Sequence, residues 1–165
     1  MQSLEGIGDL CREHNALFMV DTVCSLGGIP FSADELKVDV MYSGAQKCLS
    51  APPGASPFFM SERAMEVLQN RKTPLRTYNL DMKLIGDYWG WFGSRSYHHT
   101  APVSNLYALR EALAITNEEG VTALWARHKA MHDMLWEGLD KLGLEPFVED
   151  PASRLYTVNT IKVRQ

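Results

Sequence analysis

The chain has 165 residues, of which 45% are hydrophobic and 22% charged, and its formal net charge is −4. This length fits one ordinary domain with a hydrophobic core of its own. The negative charge argues against a nucleic-acid surface, which needs a basic stripe, and no apolar run approaches the length that crosses a bilayer. We therefore expect a globular protein with no nucleic-acid or membrane partner.

The first half of the chain predicts helices alternating with buried strands. The start, MQSLEGIGDLCREH, lacks the basic head of a signal peptide and predicts an amphipathic helix, with Leu4, Ile7, Leu10 and Cys11 on one face. Residues 17–21 (LFMVD) and 38–43 (VDVMYS) are short apolar runs typical of strands buried on both faces in a parallel sheet. A third strand is predicted over 57–61, antiparallel because the loop before it is short. This order indicates the α/β fold class.

The second half predicts mainly helices. Ser61 is expected to cap a helix over 62–70. Residues 71–102 are rich in aromatic, basic, Gly and Pro residues, and so long a loop indicates function or an interface. Two amphipathic helices follow, ended by Gly120 and Gly143, and the tail has a β pattern in LEPFV and TVNTIKV.

Cysteine and histidine spacing predicts no metal site. The three cysteines form no CxxC motif, so we expect free thiols in a reducing compartment. His98 and His99 are adjacent, and side chains alternate sides in an extended chain. His128 and His132 lie four residues apart, but no glutamate follows the first. A packing role is expected for both histidine pairs.

Asp21 and Lys47 stand at or just after the carboxyl ends of predicted strands, where open α/β sheets bind their ligands. A buried carboxylate and a buried amine both need partners. One interpretation is a structural salt bridge between them. The other is that both face a cofactor, because pyridoxal phosphate chemistry needs a carboxylate at the pyridine nitrogen and a lysine that forms a Schiff base. Spacing alone leaves both interpretations open.

The segments VDTVCSLGG, SGAQKCLSAPPG, RKT and YHHTAP together resemble the class V aminotransferases of fold type I. Within that family they are similar to the branch of alanine–glyoxylate, serine–pyruvate and 3-hydroxykynurenine aminotransferases. The resemblance implies part of a fold type I architecture, in which 1–117 would be the C-terminal part of a large domain with a mainly parallel sheet. Residues 118–165 would begin a small α+β domain. Family members are more than twice this length, so we interpret the chain as an internal fragment.

The resemblance also implies roles for individual residues. Lys47 would be the Schiff-base lysine of pyridoxal 5'-phosphate, and Asp21 would contact its pyridine nitrogen. Further cofactor contacts are implied for Val23, which would pack on the ring, for Gln46, near the phosphate, and for Tyr97 and Thr100. These last two would reach the phosphate of the neighbouring subunit's cofactor, which implies a homodimer with shared active sites. Arg154 is a poor candidate for the arginine that clamps the substrate carboxylate.

The implied activity is transfer of an amino group from alanine or serine to glyoxylate or pyruvate by a ping-pong Schiff-base mechanism. One alternative is a 3-hydroxykynurenine transaminase or a cysteine desulfurase. The desulfurase would need a loop cysteine and commonly a histidine before the lysine, where Gln46 stands. Another alternative is a truncated, inactive binding or structural module. Relatives suggest a peroxisomal or mitochondrial location, with the cytoplasm as the remaining choice.

Overall fold

The computed structural model describes residues 1–93 and 95–163. Its elements, in chain order, are α1 (Ile7–Glu13), β1 (Met19–Asp21), β2 (Val40–Tyr42), β3 (Phe58–Met60), α2 (Glu62–Gln69), α3 (Met82–Trp89), α4 (Val103–Glu119) and α5 (Val121–Lys141), followed by a short 3-10 turn over Pro151–Ser153. The predicted α/β class is confirmed.

The sheet is mixed and its order follows the chain, β1-β2-β3. Strands β1 and β2 are parallel, and their register places Asp21 opposite Tyr42. Strand β3 runs antiparallel to β2, with Tyr42 opposite Phe58. The predicted antiparallel third strand is therefore confirmed, and the loop between β2 and β3 begins and ends at the same edge of the sheet.

Strand β1 differs from its prediction in length and in burial. It covers Met19–Asp21 and alternates between exposed and buried positions. Val20 is buried with Phe18 and Val38 in a core cluster against which α1 packs. Met19 is 62% exposed, because its face of the sheet lines an open cavity of about 650 Å³ beside α2. The apolar run is thus covered on one face by the described residues and open on the other.

A buried carboxylate joins β2 to α2. Asp39 is fully buried and accepts hydrogen bonds from the Phe18 amide (2.9 Å), the Ser61 hydroxyl (3.0 Å) and the Arg63 guanidinium (2.7 Å). The Ser61 oxygen in turn accepts from the amide of Ala64, as predicted for a helix cap. These four hydrogen bonds fix where α2 leaves the sheet.

The region 71–102 contains a helix that the sequence analysis missed. Helix α3 begins after Asp81, whose carboxylate accepts from the amides of Lys83 and Leu84, and it ends at Gly90, with φ 80°. The composition of this region concealed a regular N-cap and a glycine C-cap. Outside α3, the residues of this region that the structure describes are irregular, and residues 95–102 belong to no helix or strand.

The tail does not form the strands that its pattern predicts. Within the described residues it contributes isolated bridges, Pro146 with Ile161 and Leu155 with Val158. This prediction was wrong. The segments LEPFV and TVNTIKV meet in one isolated bridge, and a pairing of two strands without further neighbours is only marginally stable. The break between α4 and α5 falls at Gly120 as predicted. The domain boundary at 117/118 stays a prediction. No helix in the described ranges is long and apolar enough to cross a membrane.

Candidate active site at the carboxyl edge of the sheet

Asp21 is the last residue of β1, and its exposed carboxylate has two hydrogen-bond donors. One oxygen accepts from the Val23 amide at 2.8 Å, and the other accepts from the Tyr42 hydroxyl at 2.9 Å. The hydrogen bond to Asp21 raises the pKa of Tyr42, and slight burial and the negative charge of Asp21 act in the same direction. A carboxylate offers about four lone-pair sites, so Asp21 still has acceptor capacity for a further N–H group.

Side-chain hydrogen bonds extend the pairing of β1 and β2 past the last ladder residues. The Thr22 hydroxyl donates to the Tyr42 carbonyl at 2.8 Å, and the Ser43 hydroxyl donates to the Thr22 carbonyl at 3.0 Å. Both side chains are almost completely buried. These bonds hold Asp21 beside the start of the loop that contains Lys47.

The loop over 43–57 presents Lys47 from a buried base. Ala45 is fully buried and packs with Ala51 and with Ala112 of α4. The Ala51 amide donates to the Ala45 carbonyl at 2.9 Å, which closes a turn with Gln46 and Lys47 exposed at its tip. The Lys47 amine has no hydrogen bond or salt bridge to any described residue. The alternative of an Asp21–Lys47 salt bridge is therefore not formed in this structure.

A second contact fixes the far side of the same loop. The Asn105 side-chain amide, in the first turn of α4, donates to the Pro53 carbonyl at 2.6 Å. Gly54 has φ +119°, and a Cβ there would lie 2.2 Å from Asn105 Nδ2. Glycine is required at this point for both its backbone conformation and its small volume.

Tyr97 and Thr100 form a pair of exposed hydroxyls on the irregular segment before α4. Their oxygens lie 2.9 Å apart in a hydrogen bond, and the Tyr97 side chain is 73% exposed. The Tyr97 ring packs edge-on against Tyr88 of α3, with 6.0 Å between the ring centroids. Two neighbouring hydroxyls that face solvent are suitable donors for an oxyanion.

The predicted site residues fall into three groups in the described structure. Asp21 and Val23 line one cavity of about 550 Å³, and Gln46, Lys47, Tyr97 and Thr100 are absent from its lining. Gln46 and Lys47 form the second group, and Tyr97 and Thr100 form the third. No hydrogen bond or ring contact between described residues joins the third group to the other two. The assigned roles stay predictions.

Several positioning contacts escaped the sequence analysis. Tyr42, Thr22, Ser43 and Asn105 all hold predicted site residues or their loops. Tyr42 had a usable signal, because it ends the strand that is the parallel neighbour of the one ending in Asp21. Asn105 had none, since its partner Pro53 is far from it in sequence and can be found only once α4 is placed.

Two other residue sets have structural partners. Arg154 donates to the carbonyls of Val148 (2.8 Å) and Glu149 (3.0 Å) and lies over the Trp136 ring, which fits its rejection as a substrate clamp. His132 is buried against the rings of Trp136 and Tyr156. Among the residues that the structure describes, no three potential metal ligands converge.

Cys48 follows Lys47 and is half-buried. Its thiol lies 3.6 Å from the Cys24 carbonyl, and the Thr157 hydroxyl also donates to that carbonyl. Burial raises the pKa of the Cys48 thiol, against the smaller lowering effect of Thr157. The raised pKa favours the neutral form of this thiol within the loop.

The chain resembles known proteins over its whole length. The family model described as "Aminotransferase class-V" matches residues 1–165. The alanine–glyoxylate aminotransferase of Drosophila melanogaster is 47% identical over 163 residues, which are 98% of this chain and 41% of that protein. The (S)-ureidoglycine–glyoxylate transaminase of Bacillus subtilis is 34% identical over 89% of this chain and 39% of its own length.

A solved structure gives the same result. The crystal structure of an alanine–glyoxylate aminotransferase from Nostoc sp. superposes with a TM-score of 0.92 at 49% identity. The match covers 99% of this chain and 42% of that one. The chain thus spans about two fifths of the length of the relatives it matches.

Proposed function

Because this chain belongs to the class-V aminotransferase family, we propose that it forms part of a pyridoxal phosphate-dependent aminotransferase that uses glyoxylate or pyruvate as amino acceptor. The observation that best supports this is the placement of Asp21 and Lys47. Asp21 ends β1, and the Lys47 loop leaves the parallel neighbour β2 at the same edge of the sheet. Ligands of open α/β sheets bind at this edge.

The residues of this edge fit the cofactor. The Lys47 amine is exposed and unpaired within the described ranges, as a covalent attachment to an aldehyde requires. The Asp21 carboxylate, fixed by Tyr42 and the Val23 amide, has acceptor capacity left for a protonated ring nitrogen. When bound, the cofactor supplies an electron sink for the carbanion at the amino acid's α-carbon.

The proposed roles follow from these chemical properties. Asp21 would keep the ring nitrogen protonated, and Val23 would pack against the ring. Lys47 would hold the cofactor covalently and, while an amino acid substrate is bound, its free amine would take the α-proton and later return a proton. Gln46 would lie near the phosphate. Because the amino acid would react and leave as a keto acid before the second keto acid binds, we expect ping-pong kinetics.

Tyr97 and Thr100 are proposed to contact the phosphate of a second subunit's cofactor. Their separation from the other two groups of site residues supports this assignment, because a residue that serves the partner need not face its own Asp21. This assignment requires a homodimer in which each active site is shared between two subunits. A peroxisomal or mitochondrial location is proposed with it, on the resemblance alone.

Alanine or serine is the proposed amino donor. Relatives at 34–47% identity are named for alanine and for (S)-ureidoglycine as donors, and both names include glyoxylate. Glyoxylate is therefore the better-supported acceptor. The donor has to be decided by assay.

The covalent test uses the 165-residue chain with added pyridoxal phosphate. Borohydride reduction followed by peptide mapping should place the cofactor on Lys47. Lys47→Ala should lose the label, and Lys72→Ala, at an exposed lysine of the region 71–102, should keep it. Labelling that persists at other lysines in Lys47→Ala would rule out the assignment.

The activity test needs a complete enzyme. In the hybrid enzyme, residues 1–165 replace the matching segment of the Nostoc alanine–glyoxylate aminotransferase. We expect it to convert alanine and glyoxylate to pyruvate and glycine, and Lys47→Ala to abolish the reaction. Turnover with serine and not with alanine would identify serine as the donor, and turnover with (S)-ureidoglycine alone would contradict both proposed donors. A hybrid that folds and binds no cofactor would favour an inactive binding module.

A further inference from the structure

The strongest feature outside the assigned groups is a hydrogen bond between two adjacent histidines. The Nδ1 atoms of His98 and His99 lie 2.7 Å apart. The His98 side chain is buried, with 7% of its surface exposed, whereas the preceding Tyr97 is 73% exposed. The segment over 97–100 therefore has exposed hydroxyl side chains at both ends and a bonded histidine pair between them.

His98 is anchored to Tyr78 by three contacts. Its Nε2 lies 2.9 Å from the Tyr78 carbonyl, and its own carbonyl accepts from the Tyr78 hydroxyl at 3.0 Å. The two rings stack with 4.3 Å between centroids and 12° between planes. This anchor holds both the backbone and the side chain of His98, in a stretch without helix or strand.

The anchor determines where the hydrogens lie when both rings are neutral. A carbonyl can only accept, so His98 Nε2 donates to Tyr78, and His98 Nδ1 is left as an acceptor. The hydrogen shared by the two Nδ1 atoms therefore comes from His99. His99 is in its Nδ1–H form, and its ring orientation is fixed by His98.

His99 is linked to the hydroxyl pair of Tyr97 and Thr100 through a ring of α3. The His99 ring packs on Tyr88 with 5.0 Å between centroids, and the Tyr97 ring packs edge-on against the same Tyr88 at 6.0 Å. Arg95 covers that ring at 5.0 Å. Tyr88 is thus the common support of His99 and Tyr97, and the hydroxyl bond from Tyr97 then orients Thr100.

We propose that His98 and His99 are positioning residues, whose Nδ1–Nδ1 hydrogen bond holds Tyr97 and Thr100 as a paired hydroxyl clamp for a phosphate group. The inference rests on the proposed function, because the phosphate is that of the cofactor. In this proposal neither histidine contacts the phosphate. Their contribution is to fix two hydroxyls 2.9 Å apart before binding, so that less conformational freedom is lost when the anion binds.

The first test reads the hydrogen positions directly. Nitrogen-15 NMR of histidine-labelled chain, at about pH 8 where an ordinary histidine is neutral, reports which ring nitrogen bears hydrogen. We expect Nε2–H for His98 and Nδ1–H for His99, with signals assigned through His98→Gln and His99→Asn. An Nε2–H form of neutral His99 would overturn the proposal.

The second test measures affinity for pyridoxal phosphate in the hybrid enzyme. His99→Leu removes the donor and should weaken binding about five- to tenfold, the loss expected for one neutral hydrogen bond. His99→Asn keeps an N–H donor near the Nδ1 position and should restore most of the affinity. His14→Leu, at the exposed end of α1, is the matched control and should change nothing.

A double-mutant cycle separates positioning from general structure. In the Tyr97→Phe/Thr100→Val background the clamp is gone, so His99→Leu should have no further effect on affinity. An equal loss in both backgrounds would overturn the inference and leave the proposed function intact. If the unmutated hybrid binds no pyridoxal phosphate, the proposed function fails, and this inference fails with it.

Discussion

The Tyr42 hydroxyl donates a 2.9 Å hydrogen bond to the carboxylate of Asp21, its partner in the register of two parallel strands. Tyr42 thereby links the two strand ends that bear the predicted cofactor residues. Because the other Asp21 oxygen is held by the Val23 amide, the carboxylate plane is fixed before any ligand arrives.

Tyr42→Phe should lower stability in a pH-dependent way. The folded pKa of Tyr42 is raised above 10.0, so its hydrogen bond stabilises the fold fully below about pH 10 and is lost as the phenol ionises at higher pH. The stability difference between wild type and Tyr42→Phe should be constant at neutral pH and shrink in strong base. Denaturant titrations across that range measure it, and a difference that grows with pH would contradict the assignment.

Arg63→Met should destabilise the protein by about 3 kcal/mol, because it leaves the fully buried Asp39 carboxylate without its cation. The Ser61 and Phe18 donors remain, so the loss should be at the lower end for a broken buried pair. Urea unfolding provides the measurement.

The matched control is Arg110→Met, whose partner Glu111 lies 3.5 Å away with both side chains largely exposed. An exposed pair of this kind contributes about 0–1 kcal/mol. Equal losses in the two variants would show that Asp39 is not an uncompensated charge when Arg63 is removed.

His128 should make the protein less stable in mild acid. Burial lowers the pKa of its imidazole, with a smaller effect from Arg127, so the folded state favours the neutral ring. The unfolded chain then binds the proton more readily, and stability falls as pH drops below about 6.5. His128→Gln should flatten this part of the stability profile between about pH 8 and about pH 5. Parallel profiles for the two proteins would rule out His128 as the cause.

Cys48 should react with alkylating reagents only at higher pH than an ordinary thiol. Burial raises its pKa, and the thiolate is the reactive form. The midpoint of alkylation rate against pH, measured in a Cys11→Ser/Cys24→Ser background, separates this effect from simple shielding. Shielding slows the reaction at every pH, whereas a raised pKa shifts the midpoint upward. A midpoint at or below the ordinary thiol value would contradict the expectation.

The sequence predicted the parts of the fold that depend on local signals. The cap at Ser61, the stop at Gly120 and the reversed third strand follow from residue type, glycine position and loop length. Helix α3 was missed because its caps at Asp81 and Gly90 lie within an aromatic and basic region. The prediction of strands in the tail was wrong because an alternating pattern cannot specify how many neighbouring strands a segment pairs with.

The site was predicted unevenly for the same reason. Asp21 and Lys47 follow apolar runs and are visible as strand-end residues. Their supports depend on contacts between distant segments, as in the bond from Asn105 to Pro53 or from His98 to Tyr78. Local sequence patterns cannot predict such contacts.

Because β3 runs opposite to β2, the two ends of the loop over 43–57 lie next to each other. The Ser43 amide donates to the Pro57 carbonyl at 2.9 Å, so the entry and exit of the loop are bonded to each other. The sheet therefore fixes the two ends, while the interior contacts α4 through Ala112 and Asn105 and contacts the Cys24 carbonyl through Cys48. Exchanging this loop together with α4 and the segment around Cys24 between relatives would therefore transfer the surroundings of Lys47 as one unit, without altering the strand register.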